Sequence, residues 1–222
     1  MARCLAMGDI HGCDLALELL LKELKLTPGD TLVVLGDVVD RGPNSRRVVE
    51  QLLEAATHCR LIFVMGNHEE MLLDSLAGGE WARTWQTYGG RQTVVSYGSI
   101  ERIPDEHLEF FRGGLNYWET DSEIFIHANL EPGVSLVEQT PEWLRWTHLT
   151  GFEQPHPSGK RVICGHTPQR SGLPLQMPGW VDVDTLAFGP GWLSVLDVAA
   201  DHVFQANQAG KVRQFPLSEI SQ

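Results

Sequence analysis

The sequence predicts an α+β fold in which two β-sheets pack together and helices cover their outer faces, giving four layers, α/β/β/α. Two observations lead to this prediction. Over the first 75 residues, apolar runs alternate with helical patterns, which is typical of strands in a partly parallel sheet. From residue 161 onward, short apolar runs follow one another between prolines, which indicates strands without intervening helices. We expect one domain over residues 1–222, because this length suits a single core.

The front of the chain is expected to alternate three strands with two helices. Each strand is a short apolar run that is followed by a glycine. The first helix must end before Pro28-Gly29, because these residues do not continue a helix. Asn44 or Ser45 can cap the second helix. The strands are predicted at residues 4–7, 31–35 and 61–65, and the helices at residues 15–26 and 44–54.

The rear of the chain is expected to be helical first and then rich in strands. Residues 70–112 have a helical pattern that is interrupted at Gly89-Gly90. Two apolar runs flanking Thr120-Asp121-Ser122 predict a hairpin. Strands are predicted at residues 115–119, 123–127, 161–164, 180–183, 192–197, 202–205 and 212–215.

Charge and composition exclude several classes of partner. The formal net charge is −12, so the surface repels nucleic acid and anionic membranes. The apolar stretch at residues 15–26 is interrupted by charges, so we do not expect it to span a bilayer. We also expect no signal peptide, because the polar Gly8-Asp9 comes before an apolar core of such a peptide could form. The four cysteines show no CxxC spacing, which favours free thiols. We therefore expect a cytoplasmic protein without nucleic acid or membrane partners; the sequence gives no indication of its oligomeric state.

Side chains that can bind a metal follow directly after five of the predicted strands. Because the carboxyl ends of such strands gather functional groups in α/β sheets, we expect these side chains to converge. The mixture of Asp, Asn and His suits a divalent ion such as Mn, Zn or Fe. The segments are Gly8-Asp9-Ile10-His11-Gly12, Gly36-Asp37, Gly66-Asn67-His68-Glu69, His127-Ala128-Asn129 and Gly165-His166-Thr167.

The donor set indicates two ions and not one. It divides into two incomplete shells unless one carboxylate, that of Asp37, bridges both ions. Two ions about 3.5–4 Å apart can generate hydroxide at neutral pH and stabilise an in-line displacement at phosphorus. The predicted metal ligands are Asp9, His11, Asp37, Asn67, His127 and His166.

The order of these segments resembles that of the PPP-type serine/threonine protein phosphatases, within the calcineurin-like metallophosphoesterases. The resemblance is carried by the segments 8–12, 36–42 and 66–69 and by the two later histidines, and it extends from residue 8 to about residue 196. The short length and Trp143-Leu144-Arg145 resemble the compact bacterial and phage members, including bacteriophage lambda phosphatase. The resemblance implies a metallophosphoesterase β-sandwich of two mixed sheets flanked by helices, with the metals at one edge.

The same resemblance implies a role for each ligand. Asp9, His11 and Asp37 would hold the first ion, and a hydroxide between the ions would attack phosphorus directly. Mn²⁺ is the expected metal, with Fe, Zn, Ni or Co as alternatives. The second ion would be held by Asp37, Asn67, His127 and His166.

Further residues are implied to act on the substrate. Arg41 and Arg145, together with Asn67, would bind the phosphate oxygens. His68, oriented by Asp40, would protonate the leaving alkoxide. These roles imply a metal-dependent phosphomonoesterase, a serine/threonine or dual-specificity protein phosphatase that acts on a phosphorylated protein, peptide or small phosphoester.

Three alternatives remain open. The first is a symmetrical dinucleoside tetraphosphatase, which splits a phosphoanhydride and carries similar segments; the retention of Asp40 and Glu69 favours the protein phosphatase. The second is an inactive binding module of the same fold, which the intact ligand positions and His68 disfavour. The third is a cyclic-nucleotide phosphodiesterase or other phosphodiesterase, because the metal centre does not dictate which type of ester is hydrolysed.

Two more expectations concern the surroundings of the site. The aromatic residues Trp81, Trp85 and Tyr88 are expected to border a substrate groove next to an exposed loop. Glu69 and Glu70 are expected to stabilise the start of a helix over residues 67–76 and not to be catalytic.

Overall fold

The computed structural model describes residues 2–220. The helices within this range are α1 (Asp14–Leu24), α2 (Ser45–Ala55), α3 (Asn67–Ser75), α4 (Gly79–Trp85), α5 (Arg91–Tyr97), α6 (Asp105–Arg112) and α7 (Pro141–Trp146). The strands are β1 (Cys4–Met7), β2 (Thr31–Val34), β3 (Arg60–Phe63), β4 (Trp118–Glu119), β5 (Glu123–Phe125), β6 (Arg161–Cys164), β7 (Leu175–Met177), β8 (Trp180–Asp182), β9 (Leu193–Asp197), β10 (His202–Ala206) and β11 (Val212–Pro216).

The strands form two mixed sheets. The first has the order β11-β10-β9-β1-β2-β3, with β1, β2 and β3 parallel and β9 antiparallel to β1. The second has the order β4-β5-β6-β8-β7, with β5, β6 and β8 parallel and the edge strands antiparallel. The prediction of two mixed sheets flanked by helices is therefore confirmed.

The alternation of side chains along each strand builds the layers. In β1, Leu5 and Met7 belong to the core that the first sheet shares with the helices, whereas Ala6 belongs to the core between the two sheets. On the outer face of the second sheet, Leu144 of α7 packs with Val162 and other buried residues. Because successive strand residues face opposite sides, both faces of β1 are buried.

Most predicted elements are present with small shifts at their ends. The Asn44 side chain accepts a hydrogen bond from the Arg47 amide and caps α2, as expected. The helical region breaks at Gly89, where φ is 116° inside a π-helical turn over Gln86–Gly90. Helix α7 and strand β7 were not predicted. The six residues of α7 are too few to show a helical period, and β7 lies between Pro174 and Pro178, which indicated a loop. No helix among residues 2–220 is long and apolar enough to span a membrane.

An ion pair joins the starts of β1 and β2. The Asp30 carboxylate is 1% exposed and accepts hydrogen bonds from Arg3 Nη2 at 2.7 Å and from the Thr27 amide at 2.9 Å. The hydrogen bond from Arg3 holds the pKa of Asp30 well below its ordinary value, although burial acts in the opposite direction. A carboxyl group with a lowered folded-state pKa stabilises the fold above its unfolded-state pKa of about 3.9 and loses this effect as the pH falls further.

We expect Asp30→Asn to lower the free energy of unfolding by about 1–3 kcal/mol at pH 7, because Arg3 and the Thr27 amide lose a buried, charged acceptor. The difference from the unmodified protein should shrink as the pH falls from about 4 to about 2, because the carboxyl group of Asp30 takes up a proton in the unfolded chain while the folded protein still holds it ionised. Urea unfolding at several pH values measures both effects, with the exposed Asp121→Asn as control. An equal difference at all pH values would contradict the assignment.

Candidate active site

The predicted ligands converge in strained loops that follow the strands. Five of the predicted site residues have positive φ angles: His11 at 46°, Asp37 at 49°, Asp40 at 72°, Arg41 at 63° and His166 at 66°. Such backbone costs about 1–3 kcal/mol per residue and persists only where the surrounding structure enforces it. Here the loops after β1 and β2 are joined directly, since the amide of His11 donates to the carbonyl of Asp37 at 2.8 Å.

Asp37 lies between two groups of potential ligands. Its Oδ2 is 3.5 Å from His11 Nε2, and its Oδ1 is 3.5 Å from His127 Nε2. The ligand atoms of Asp37, His127 and His166 lie within 4.8 Å of one another, as do those of Asp37, His11 and His68. Asp9 Oδ2 is 4.0 Å from His11 Nε2. One carboxylate thus faces both groups, which is the geometry that a bridging ligand requires.

The Asn67 amide provides a test of whether the site fits a cation. Its oxygen lies 3.2 Å from both carboxylate oxygens of Asp37 and 3.2 Å from His127 Nε2. An acceptor surrounded by acceptors is unfavourable unless a positive charge lies among them. Rotation of the amide would place its NH₂ group there instead, which is the arrangement expected for a site without metal. In either orientation the amide of Asn67, the carboxylate of Asp37 and the Nε2 atom of His127 lie together, and this donor set fits a divalent ion.

Each predicted histidine ligand has one ring nitrogen occupied by a backbone carbonyl. Such a hydrogen bond fixes the tautomer and leaves the other nitrogen for a metal, as is usual for metal-binding histidines. The pairs are His11 Nδ1 with the carbonyl of Val39 at 2.9 Å, His127 Nδ1 with that of Leu35 at 2.7 Å, and His166 Nε2 with that of Trp146 at 3.1 Å.

The charges of the site are consistent with metal binding. Burial lowers the pKa of His11 and His127, and lowers the pKa of His166 to about 3, so the three rings stay neutral. Burial, with Asp184 and Asp37 nearby, raises the pKa of Asp9 well above its ordinary value. Buried acids that lack a cationic partner are costly. A divalent ion would supply the missing positive charge.

His68 differs from the ligand histidines because its partner is a carboxylate. Its Nδ1 lies 2.7 Å from Asp40 Oδ2. Burial alone would lower the pKa of His68, but Asp37 and Asp40 outweigh it and raise the pKa above its ordinary value. The Nε2 atom is buried without a hydrogen-bond partner and lies 4.0 Å from Asp37 Oδ2. A protonated ring here would carry an available proton beside the ligand cluster.

Asp40 is held by residues that lie far away in the sequence. Its carboxylate accepts hydrogen bonds from Trp85 Nε1 at 2.8 Å and from Thr93 Oγ1 at 2.6 Å. Trp85 is 1% exposed, so the expectation that it borders a groove is wrong. By contrast, Trp81 and Tyr88 are 62% and 54% exposed. Trp85 therefore lies in the core and orients Asp40, which in turn binds His68.

The two predicted phosphate-binding arginines have different partners. Arg41 Nη1 is 3.0 Å from His11 Nε2, and its guanidinium carbon lies 4.8 Å from the centre of the Phe188 ring. Arg145 donates hydrogen bonds to Glu70 Oε1 and Asn116 Oδ1. Arg41 thus contacts the ring nitrogen that His11 would offer to a metal, and Arg145 is paired with Glu70. Among residues 2–220, neither arginine forms an ion pair with a carboxylate of the predicted ligands.

Glu69 has a structural function in the loop that carries Asp37. Its carboxylate accepts hydrogen bonds from the amides of Asp37 and Val38, both at 2.9 Å, and from that of Gly66 at 3.2 Å. It therefore holds the strained loop in place. Because Glu69 supports the loop, its presence does not distinguish a protein phosphatase from a dinucleoside tetraphosphatase. Of the two residues used for that distinction, only Asp40 still bears on the substrate.

Several residues near the site were missed from the sequence. Asp184 is 2% exposed, and burial raises its pKa to about 7. The ring of His148 stacks on that of His166 with centroids 4.4 Å apart, and Phe188 contacts His11 edge-on. The sequence held one usable signal, the Asp182-Val183-Asp184 segment at the end of a predicted strand. The aromatic contacts depend on distant loops and leave no local pattern.

We expect Gly66→Ala to destabilise the protein by about 1–3 kcal/mol, the usual cost of overpacking. An added Cβ would lie 2.2 Å from Asp37 Oδ1 and 2.5 Å from the Asp37 amide nitrogen. Gly29→Ala is the control, because its Cβ would meet no atom closer than 3.9 Å. Chemical denaturation measures the difference, and equal stability of the two variants would contradict the prediction.

Comparison with known proteins identifies the family. Residues 2–170 match the calcineurin-like phosphoesterase family. The chain therefore belongs to the calcineurin-like phosphoesterases.

The relatives include both a dinucleoside tetraphosphatase and a protein phosphatase. The symmetrical bis(5'-nucleosyl)-tetraphosphatase of Paracidovorax citrulli is 36% identical over 153 residues, which cover 63% of this chain and 54% of that protein. Serine/threonine-protein phosphatase 1 of Salmonella typhimurium is 40% identical over 109 residues, which cover 44% of this chain and 49% of that protein. The matched region thus spans about half the length of each relative. Among solved structures, a candidate diadenosine tetraphosphatase has a TM-score of 0.67 at 23% identity, covering 96% of this chain and 93% of that one, which shows a shared fold.

Proposed function

We propose that this protein is a metal-dependent phosphomonoesterase that acts as a serine/threonine protein phosphatase. The observation that carries the proposal is the His68–Asp40 pair beside the ligand cluster, with His68 Nε2 buried and unpartnered. An alkoxide is a poor leaving group, so its departure needs a proton. His68 supplies that proton from Nε2, while the Asp40 carboxylate holds the ring through Nδ1.

The proposed ligands are Asp9, His11, Asp37, Asn67, His127 and His166, and the resemblance favours Mn²⁺ over Fe, Zn, Ni or Co. Two divalent ions held by these residues would supply positive charge and an activated water for attack at phosphorus. Arg41 and Arg145 bind the phosphate oxygens and orient the ester. Together with the ions they give the substrate a positive pocket on a protein whose net charge is −12.

A second candidate, a symmetrical dinucleoside tetraphosphatase, is supported by the relative that is 36% identical. In that reaction the leaving group is a nucleotide phosphate, a weak base that departs without a proton from the protein. The buried acid His68 would then have no evident task. This chemical difference favours a phosphomonoester as the substrate. Among the protein phosphatases, we propose that this protein is most similar to the compact bacterial and phage type.

The deciding experiment is a substrate panel on apo-protein that has been reloaded with each metal in turn. The proposal expects a higher kcat/KM for a phosphoserine peptide than for diadenosine tetraphosphate, and loss of both activities in EDTA. A preference for the tetraphosphate would establish the second candidate. Absence of both bound metal and turnover would instead indicate a binding module.

A further inference from the structure

Arg145 is held by side chains from two other parts of the chain. Arg145 lies in α7, Glu70 in the first turn of α3, and Asn116 just before β4. The Nη1 atom donates to Glu70 Oε1, and the Nη2 atom donates to Asn116 Oδ1. The Arg145 side chain is 11% exposed and that of Glu70 is 25% exposed. These contacts fix the plane of the guanidinium group in a partly desolvated setting.

The second oxygen of Glu70 ties the same carboxylate to the neighbouring residue. Glu70 Oε2 accepts a hydrogen bond from Trp146 Nε1 at 2.6 Å. The carbonyl of Trp146 in turn lies 3.1 Å from His166 Nε2. Glu70 therefore joins the end of α7 to α3, and the same end of α7 also contacts the predicted ligand His166.

The remaining donors of Arg145 are free to bind an anion. Its Nε is buried and has no hydrogen-bond partner. Glu70 and Asn116 each occupy one terminal nitrogen, and every terminal nitrogen carries two hydrogens. A buried donor without an acceptor is costly, and a phosphate oxygen would satisfy it. The guanidinium is thus oriented before the anion arrives.

We propose that Glu70 is a positioning residue that acts through Arg145 and sets its orientation for the substrate phosphate. The inference rests on the proposed function, since it concerns the phosphate that the site would bind. Because Glu70 also accepts a hydrogen bond from Trp146, its carboxylate is itself held in place while it orients Arg145. Preorganised groups lose less freedom on binding, and misplacement by about 1 Å can reduce catalysis about 100-fold.

The sign of the effect separates positioning from simple electrostatics. A carboxylate near a phosphate site repels the anion, so its removal alone would tighten phosphate binding. Positioning predicts the opposite result, because an unrestrained Arg145 binds the anion more weakly. Glu70→Ala and Glu70→Gln both remove the charge, and Gln retains one acceptor for Arg145 or Trp146.

The test is a double-mutant cycle with Glu70→Ala and Arg145→Ala, measured on metal-loaded protein. We expect Glu70→Ala to raise the Kd of inorganic phosphate, determined by calorimetry, and to lower kcat/KM for p-nitrophenyl phosphate about 10- to 100-fold. In the Arg145→Ala background the same substitution should change either quantity less than about twofold, because residues in contact are coupled. Glu70→Gln should lie between the alanine variant and the unmodified protein.

Glu18→Gln is the matched control, because Glu18 pairs with Lys22 on the exposed face of α1, and it should leave both quantities unchanged. If Glu70→Ala does not fold, as judged by circular dichroism, Glu70→Gln carries the test. Tighter phosphate binding, an unchanged Kd, or effects that multiply in the double variant would each overturn the inference. The proposed function has a separate test. It is wrong if the metal-loaded protein binds inorganic phosphate but hydrolyses neither p-nitrophenyl phosphate nor a phosphoserine peptide.

Discussion

Replacing His68 by asparagine should reduce kcat for a phosphoserine peptide about 10²–10⁴-fold, the usual contribution of a general acid. The same variant should lose far less activity on p-nitrophenyl phosphate, because nitrophenolate is a weak base and leaves without a proton. The contrast follows from the position of His68 Nε2, which is buried and has no other partner. Steady-state kinetics with the two substrates measure it.

Asp40→Asn provides an independent check of the same step. Asp40 binds His68 Nδ1, so loss of its charge should lower the pKa of His68 and reproduce the substrate-dependent loss in weaker form. His58→Asn serves as control, since His58 is exposed and lies in the turn between α2 and β3. Equal losses on both substrates would mean that His68 maintains the site and does not protonate the leaving group.

Replacing Asp37 by asparagine should have the second large effect, on both metals together. Asp37 faces His11 and His127 through different oxygens, each at 3.5 Å. An amide can offer only one good metal-binding oxygen, so we expect metal content to fall below two ions per chain. The rate should fall at least about 10²–10³-fold, the range seen when one electrostatic stabiliser of a transition state is removed.

Elemental analysis of the dialysed protein measures the metal content, and p-nitrophenyl phosphate hydrolysis measures the rate. Asp121→Asn is the control: Asp121 is exposed, so this variant should keep the metal content and the hydrolysis rate of the unmodified protein. Circular dichroism must show that the variant is folded, because Asp37 Oδ1 also accepts a hydrogen bond from the His68 amide. Hydrolysis at the unmodified rate by metal-loaded Asp37→Asn would disprove the bridging function.

The site as a whole could be predicted because its main residues lie at strand ends. Asp9, Asp37 and Asn67 follow β1, β2 and β3, which are parallel neighbours with an aligned register. Their convergence is a direct consequence of that pairing. His127 and His166 likewise follow β5 and β6, which are parallel neighbours in the second sheet. The sequence alone therefore indicated which side chains meet, although not the distances between them.

The partners that give these residues distinct tasks could not be predicted in the same way. Trp85 reaches Asp40 across 45 positions, and Glu70 reaches Arg145 across 75. Neither contact has a periodic pattern, because each depends on how a whole helix packs against the sheets. The strained φ angles at His11 and Asp37 are also invisible in the sequence, since the loops are held by hydrogen bonds from elsewhere.

By itself, the sequence determined the two sheets and the set of side chains at their edge, because strand alternation and glycine turns are local properties. It did not determine what lies beside the rings of the proposed ligands His11, His127 and His166 and of the proposed acid His68. Only the tertiary structure decided this, by placing a backbone carbonyl beside the first three rings and a carboxylate beside the fourth. The physical reason is that the function of a histidine depends on the partner of its second nitrogen, and packing of the complete chain selects that partner.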